Sequence, residues 1–354
     1  MSTATETQHQ LSAALHEITE RAGPIDRAQA DPVEDLQRLA AAVDLFDVDA
    51  TALPEAVSTI EDVSRHSLAV GFLAWAQRMT GEYLATKPHS PYLAERRSDV
   101  ARVHRRGVSA MAGGQRQAVG LDPTPITATP DEAGGYRVTG TVAWASNVDP
   151  GAVVVLTANL PDGGTRVLAV DASEISFRPA PPLLALDATA SGALTLEDVP
   201  VPAQAVIAED LLACLAGIRP RFLLLQGAFC SGVAAESLDQ AGGRLTGTAE
   251  LYGPDHAALT DRYTSARERL HSFAATEASE PGTLPLPQLL ELRLELAALA
   301  TSCSRLSLDV EGGRGYAVAS AANRRFREAA FLPVQSPSES QLRWELARAR
   351  EGQR

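Results

Sequence analysis

The stretch Gly312–Arg343, GGRGYAVASAANRRFREAAFLPVQSPSESQLR, decides how the rest of the chain is read. It follows a long apolar run of helical period. It opens on Gly312, Gly313 and Gly315, residues that let a backbone turn sharply and approach another surface closely. A basic cluster follows at Arg324, Arg325 and Arg327. The Ser336-Pro337 step disfavours helix at Ser336, so one helix is expected to end by there and a last amphipathic helix to begin at or after Pro337.

Outside that stretch, composition bounds the answer. With 354 residues the chain is long enough for two or three packed units. Hydrophobic content of 45% and charged content of 21% are those of a soluble globular protein. A net charge of −13 argues against nucleic acid or an anionic membrane as partner. No uninterrupted apolar run reaches about 18 residues, so no membrane-spanning helix is expected. The opening MSTATETQHQLSAALHEITERAG has no basic segment leading into an apolar core, so no signal peptide is expected. Cys214, Cys230 and Cys303 lie far apart in apolar helical contexts and read as buried thiols of a reduced, cytoplasmic protein.

The first hundred residues read as helical. Leu11, Leu15 and Ile18 recur at helical spacing and Pro24 is expected to end that helix. Asp31-Pro32 offers the next start. From Ala56 to Leu84 apolar residues occur all round, as in a helix buried on most sides, with His66 as a hydrogen-bonded core histidine. Leu93–Arg106 reads as another helix. From Val108 to Asp210 the pattern changes to strand alternation, with turn signals at Pro130-Asp131, Gly134-Gly135, Asp162–Gly164 and Pro181-Pro182. Helical period then returns over Phe222–Ala241, His256–Ala275 and Leu289–Leu308. In the last of these, Glu291, Arg293 and Glu295 read as a solvated helix face. The expected class is α+β in three domains: 1–107 helical, 108–210 β, 211–354 helical.

Three passages, in order, carry a resemblance to a known family. They are VTGTVAWASNVDPGAVVVLTA (Val138–Ala158), DATASGALTLEDVPVPAQAVI (Asp187–Ile207) and the segment Glu311–Arg348 that contains the opening stretch. Together they resemble the acyl-CoA dehydrogenase superfamily of flavoproteins, which includes related flavin-dependent monooxygenases. The resemblance implies an N-terminal helical domain, a central β-barrel and a C-terminal four-helix bundle, in a homodimer or homotetramer. It implies FAD, or alternatively FMN, as cofactor. Trp144 and Ser146 would then touch the isoalloxazine ring, since an indole packs on a flat cofactor and a hydroxyl can hydrogen-bond a ring heteroatom. Gly312, Gly313 and Gly315 would offer backbone amides to a partner subunit's pyrophosphate, with Arg314 and Arg244 adding charge.

Several positions depart from the family pattern. The glutamate that removes the substrate's α-proton in the family falls on Ser336, and serine cannot act as that base. The alternative location, Gly217–Phe229, offers Pro220 and Arg221 but no carboxylate. Glu339 is the nearest substitute. The family's TEPxxGSD loop is not recovered in Ser109–Pro125, where small residues and a glycine pair stand instead. Asp309 stands where a glutamine is usual, and calls for neutralisation by Arg314 or Arg244.

Three functions are therefore compatible with the resemblance. The first expectation is a flavin-dependent oxidoreductase acting on an acyl thioester or related small substrate, held by coenzyme A or a carrier, with an altered base, and the other two are alternatives to it. Another is a monooxygenase that takes reduced flavin from a separate flavin reductase and needs no such glutamate. The third is a non-catalytic subunit of a heteromeric assembly. Zinc-ligand spacing, a phosphate-binding GxxxxGK[ST] loop, a GxSxG elbow and a dinucleotide GxGxxG after a strand are not found.

Overall fold

Residues 2–351 are described by the computed structural model, and along them helices, one sheet and more helices follow in turn. The first group comprises α1 (Ser2–Asp26), α2 (Val33–Val43), α3 (Leu53–His66), α4 (Leu68–Ala85) and α5 (Pro91–Ala101). Pro24 does not end α1, which runs on to Asp26. A proline in the last turn forfeits one backbone bond and disturbs nothing beyond it, and the adjoining Ile25 is fully buried. The apolar stretch from Ala56 to Leu84 is two helices rather than one. Ser67 is extended and its hydroxyl accepts from the amide of Val70, which starts α4 afresh. α5 stops at Ala101, short of Arg106.

The middle of the chain forms β1 (Gly107–Ala110), α6 (Ala112–Ala118), β2 (Thr127–Pro130), β3 (Tyr136–Ala145), β4 (Val153–Asn159), β5 (Thr165–Asp171), β6 (Ser176–Pro179), β7 (Gly192–Val201) and β8 (Val206–Ala208). They make one eight-stranded sheet in the order β6-β7-β3-β2-β4-β5-β8, with β1 pairing parallel to β4. β4 is buried along both faces, which its unbroken VVVL run anticipates. Leu156, Leu168 and Leu194 belong to a core built mainly from the sheet, against which Tyr92 of α5 packs. The close approach of α6 to β4 needs Gly114, where a Cβ would lie 2.2 Å from the Thr157 hydroxyl.

The last part holds α7 (Leu211–Gly242), α8 (Gly253–Ser279), α9 (Leu286–Glu311), the single turn α10 (Gly313–Tyr316), α11 (Ala321–Ala329) and α12 (Glu339–Glu351). α7 begins earlier than Phe222, because the Asp210 carboxylate caps it by accepting from the amide of Ala213 at 3.0 Å. It passes through Pro220 and is long and apolar enough to cross a membrane, but most of that apolar length is buried inside the protein. It packs against α3, α4, α8 and α9, and this explains its lack of a polar face. All three cysteines are buried and free.

One buried ion cluster ties the first helical group to the last. Glu61 of α3 accepts from Arg267 Nε at 2.9 Å, Arg267 Nη2 at 2.8 Å and His271 Nε2 at 3.0 Å, all on α8. The Ser231 hydroxyl of α7 donates to it as well. A Cβ on Gly232 would lie 2.1 Å from the Glu61 carbonyl oxygen, so the two helix backbones touch at this point. Burial pushes the Glu61 carboxyl upward, but the hydrogen bonds from His271, Arg267 and Ser231 outweigh it and bring it to about 2. A carboxyl held below its unfolded value contributes stability above that value and loses it as pH falls. Glu61→Gln is therefore expected to cost about 1–2 kcal/mol at pH 7. That deficit should shrink between pH 4.5 and about 2, as followed by urea unfolding. A deficit independent of pH over that window would mean that the charge of Glu61 contributes nothing.

Candidate functional site

A cavity of about 710 Å³ opens where α4, the β1–α6 segment, β3, the loop 183–191, α7 and the chain after α11 meet. Trp144, Ser146 and Ser336 all line it, so the structure brings together three residues that are far apart in sequence. The β3–β7 ladder loses register between Val142 and Ala145. Such an irregularity turns side chains out of the regular alternation. Trp144 stands within it and is 57% exposed. The end of β3 is anchored from outside the sheet. Asn147, fully buried, donates to Gln77 Oε1 of α4 at 3.0 Å and to the Gly107 carbonyl at 3.1 Å.

Beside Trp144 runs a row of hydroxyls. Ser146 Oγ lies 2.6 Å from Ser191 Oγ, and Ser191 Oγ lies 2.7 Å from Thr189 Oγ1. Thr189 Oγ1 donates to the Leu186 carbonyl at 2.7 Å. The loop carrying Thr189 is stitched to β3 by the Asn147 amide, which donates to the Thr189 carbonyl at 2.8 Å. Leu186 and Ala190 hold positive φ, 65° and 46°, at either end of this turn. Reading the sequence singles out Ser146 but not Thr189 or Ser191, although both lie inside the DATAS segment of the second family-like passage.

Ser336 is held by its carbonyl. Gln226 of α7 and Gln335 each donate to the Ser336 oxygen, at 3.0 and 2.7 Å. Their own amide oxygens accept from Arg293 of α9, at 3.1 Å from Gln226 and 3.2 Å from Gln335. Arg293 is thus not on a solvated face as its acidic neighbours suggest. It is 2% exposed, while Glu291 and Glu295 turn outward to Arg350 and Arg269. Helix period explains the error. Glu291 and Glu295 share a face, and Arg293 between them points to the other side.

The rest of the wall is largely apolar. Phe72, Trp75, Phe222 and Phe331 line one side, with Trp75 edge-on to Phe222 at 5.1 Å and Phe72 edge-on to Phe331 at 4.9 Å. The indole N–H of buried Trp75 has no hydrogen-bond partner among the described residues. Two cations reach the cavity and both are neutralised. Arg116 pairs with Asp122, and Arg327 pairs with both carboxylate oxygens of Asp26 at 2.8 and 2.6 Å. Among the described residues lining the cavity there is no aspartate or glutamate.

The remaining sequence-derived candidates lie elsewhere. Gly312, Gly313, Arg314, Gly315, Arg244 and Glu339 do not line the cavity. Gly312 takes φ 60° and caps α9, its amide donating to the Leu308 carbonyl at 3.1 Å. Asp309 is paired neither with Arg314 nor with Arg244. Arg305, one helical turn away, takes it at 2.8 Å, and Arg244 is paired with Glu311 at 3.3 Å. Glu339 pairs with Arg343 at 2.7 Å on the first turn of α12. His66 is half-buried, its Nδ1 2.8 Å from the Thr19 hydroxyl. Burial and the neighbouring Arg65, Arg324 and Arg325 lower its pKa.

No family model matches the chain, and no curated protein matches it in sequence. Solved structures do match its fold. The chain is similar to glutaryl-coenzyme A dehydrogenase in complex with glutaryl-CoA, at TM-score 0.87 and 16% identity over 99% of this chain and 96% of that one. It is similar to a glutaryl-CoA dehydrogenase from Mycobacterium smegmatis in complex with FADH2, at TM-score 0.84 and 15% identity over 98% and 94%. It is also similar to the dibenzothiophene monooxygenase of Paenibacillus sp. A11-2 in complex with FMN and indole, at TM-score 0.77 and 15% identity over 98% of each. The fold is that of the acyl-CoA dehydrogenases and of the flavin monooxygenases built on the same scaffold.

Proposed function

We propose that the chain is a flavin-dependent oxidoreductase, and specifically a monooxygenase that uses reduced flavin and molecular oxygen on an uncharged, apolar substrate. The observation that carries this reading is the cavity wall, which contains Ser336 but no carboxylate among its described residues. Removing an α-proton from an acyl thioester requires a base at that place, and oxygen insertion does not.

The residues present fit a flavin. The cavity volume lies in the range of small-molecule sites, and an exposed indole and a row of hydroxyls stand side by side on its wall. When bound, reduced flavin supplies two electrons and activates oxygen. Trp144 would pack on its ring and Ser146 would meet a ring heteroatom. Phe72, Trp75, Phe222 and Phe331 would hold the substrate and keep water out, with the unpartnered Trp75 N–H available to an acceptor on it. Since Arg116 and Arg327 are already paired, the described residues of the wall offer no free charge to an ionic substrate.

FMN suits the chain better than FAD. Around the Gly312 turn, Arg305 and Arg244 are committed to Asp309 and Glu311, which leaves Arg314 as the one arginine of the three to face a pyrophosphate. FMN is expected to bind about tenfold more tightly than FAD, the equivalent of one unfavourable charge contact. Calorimetric titration with each flavin checks this. The reaction itself is tested by supplying FMN, NADH and a separate flavin reductase and following oxygen uptake with neutral aromatic compounds. Anaerobic bleaching of bound FAD by an acyl-CoA would favour the dehydrogenase reading instead. A protein that binds neither flavin would favour a non-catalytic subunit.

A further inference from the structure

Each hydroxyl in the row beside Trp144 has one proton to give. The row ends on the Leu186 carbonyl, which can only accept, so the Thr189 proton goes there. Thr189 Oγ1 then receives the proton of Ser191, and Ser191 Oγ receives that of Ser146. The opposite polarity is available only by giving up the Thr189–Leu186 bond. The row is therefore directed, and Ser146, its last member and a part of the cavity wall, has spent its proton inward.

We infer that Ser146 faces the cavity as a hydrogen-bond acceptor, that Thr189 is the positioning residue that sets this direction, and that the site thereby selects reduced over oxidised flavin. The inference rests on the flavin reading given above. Nitrogen N5 of the flavin ring is a bare acceptor when oxidised and an N–H donor after two-electron reduction. A hydroxyl that offers lone pairs bonds the second and is set against the first. Making the oxidised ring's bond would cost the row one internal hydrogen bond, which corresponds to a preference of about tenfold. For a two-electron couple that is about 30 mV of midpoint potential.

The test is binding of oxidised and reduced FMN, measured anaerobically, together with the midpoint potential of the bound flavin. It needs no turnover. Thr189→Val keeps the shape but removes the end of the row, so Ser191 can turn its proton to Ser146 and Ser146 can donate into the cavity. The ratio of oxidised to reduced dissociation constants is expected to fall about tenfold and the potential by about 30 mV. Thr189→Ser, which keeps the hydroxyl, should retain the wild-type ratio. Ser191→Ala should repeat the Thr189→Val result and serves if the valine disturbs the turn. An unchanged ratio in both Thr189→Val and Ser191→Ala overturns the inference while leaving the flavin reading intact. Wild-type protein that binds neither form of FMN overturns the flavin reading, and this inference with it.

Discussion

Trp144→Ala is expected to weaken flavin binding by about 30- to 150-fold. The indole is 57% exposed at the cavity wall, so a flat ring placed on it removes a large apolar face from water. Burying a side chain of this kind contributes about 2–3 kcal/mol, and each 1.4 kcal/mol is about tenfold in affinity. Truncation of an exposed residue costs the unliganded protein little, within about 0.5 kcal/mol. The effect should therefore appear in the FMN titration and not in the unfolding midpoint. Trp144→Phe keeps a smaller ring and should lose only a few-fold. Unchanged FMN affinity in Trp144→Ala would place the flavin somewhere other than beside β3.

Arg293→Ala is expected to be the most destabilising of the substitutions considered, by about 3–5 kcal/mol in urea unfolding. The guanidinium is almost wholly buried and gives its protons to Gln226, Gln335 and the Leu332 carbonyl. Hydrogen bonds to a charged group contribute about 1.5–3 kcal/mol each, and deletion also strands two buried amide oxygens. It would leave the bracket around the Ser336 carbonyl without its centre. Faster amide exchange over 332–336 should accompany the loss of stability. A shift below about 1 kcal/mol would mean that water takes over the role of the guanidinium.

Much of the fold is legible in the sequence, because each level of the pattern agrees with the next. The change from helical period to strand alternation near Val108, and back again after Asp210, coincides with the observed elements β1 to β8. Trp144, Ser146 and Ser336 can be singled out because each falls inside a passage with a recognisable neighbour pattern. What could not be read is which partner each polar side chain takes, whether that partner is near or distant along the chain. The pairing of Arg293 with two glutamines, one from α7 and one beside Ser336, leaves no local trace, and its acidic neighbours suggest a solvated face instead. The polarity of the hydroxyl row is equally hidden, since it is decided by the carbonyl of Leu186. The pairings of Asp309 with Arg305 and of Arg244 with Glu311 depend on which way α9 turns its last residues.

The long helix α7 carries a consequence for how this protein can change over time. Along its 32 residues it presents Phe222 to the cavity, Gln226 to the Ser336 carbonyl, Ser231 to Glu61 and Gly232 to the backbone of α3. These contacts are kept in phase by a rotation of about 100° per residue. Inserting or deleting a single residue between any two of them would swing one set away from its partner while the other stayed in place. α7 is thus free to vary in composition at its outward positions and fixed in length. Drift in such a protein should accumulate as substitutions along this helix, and as insertions only in the loops that it joins.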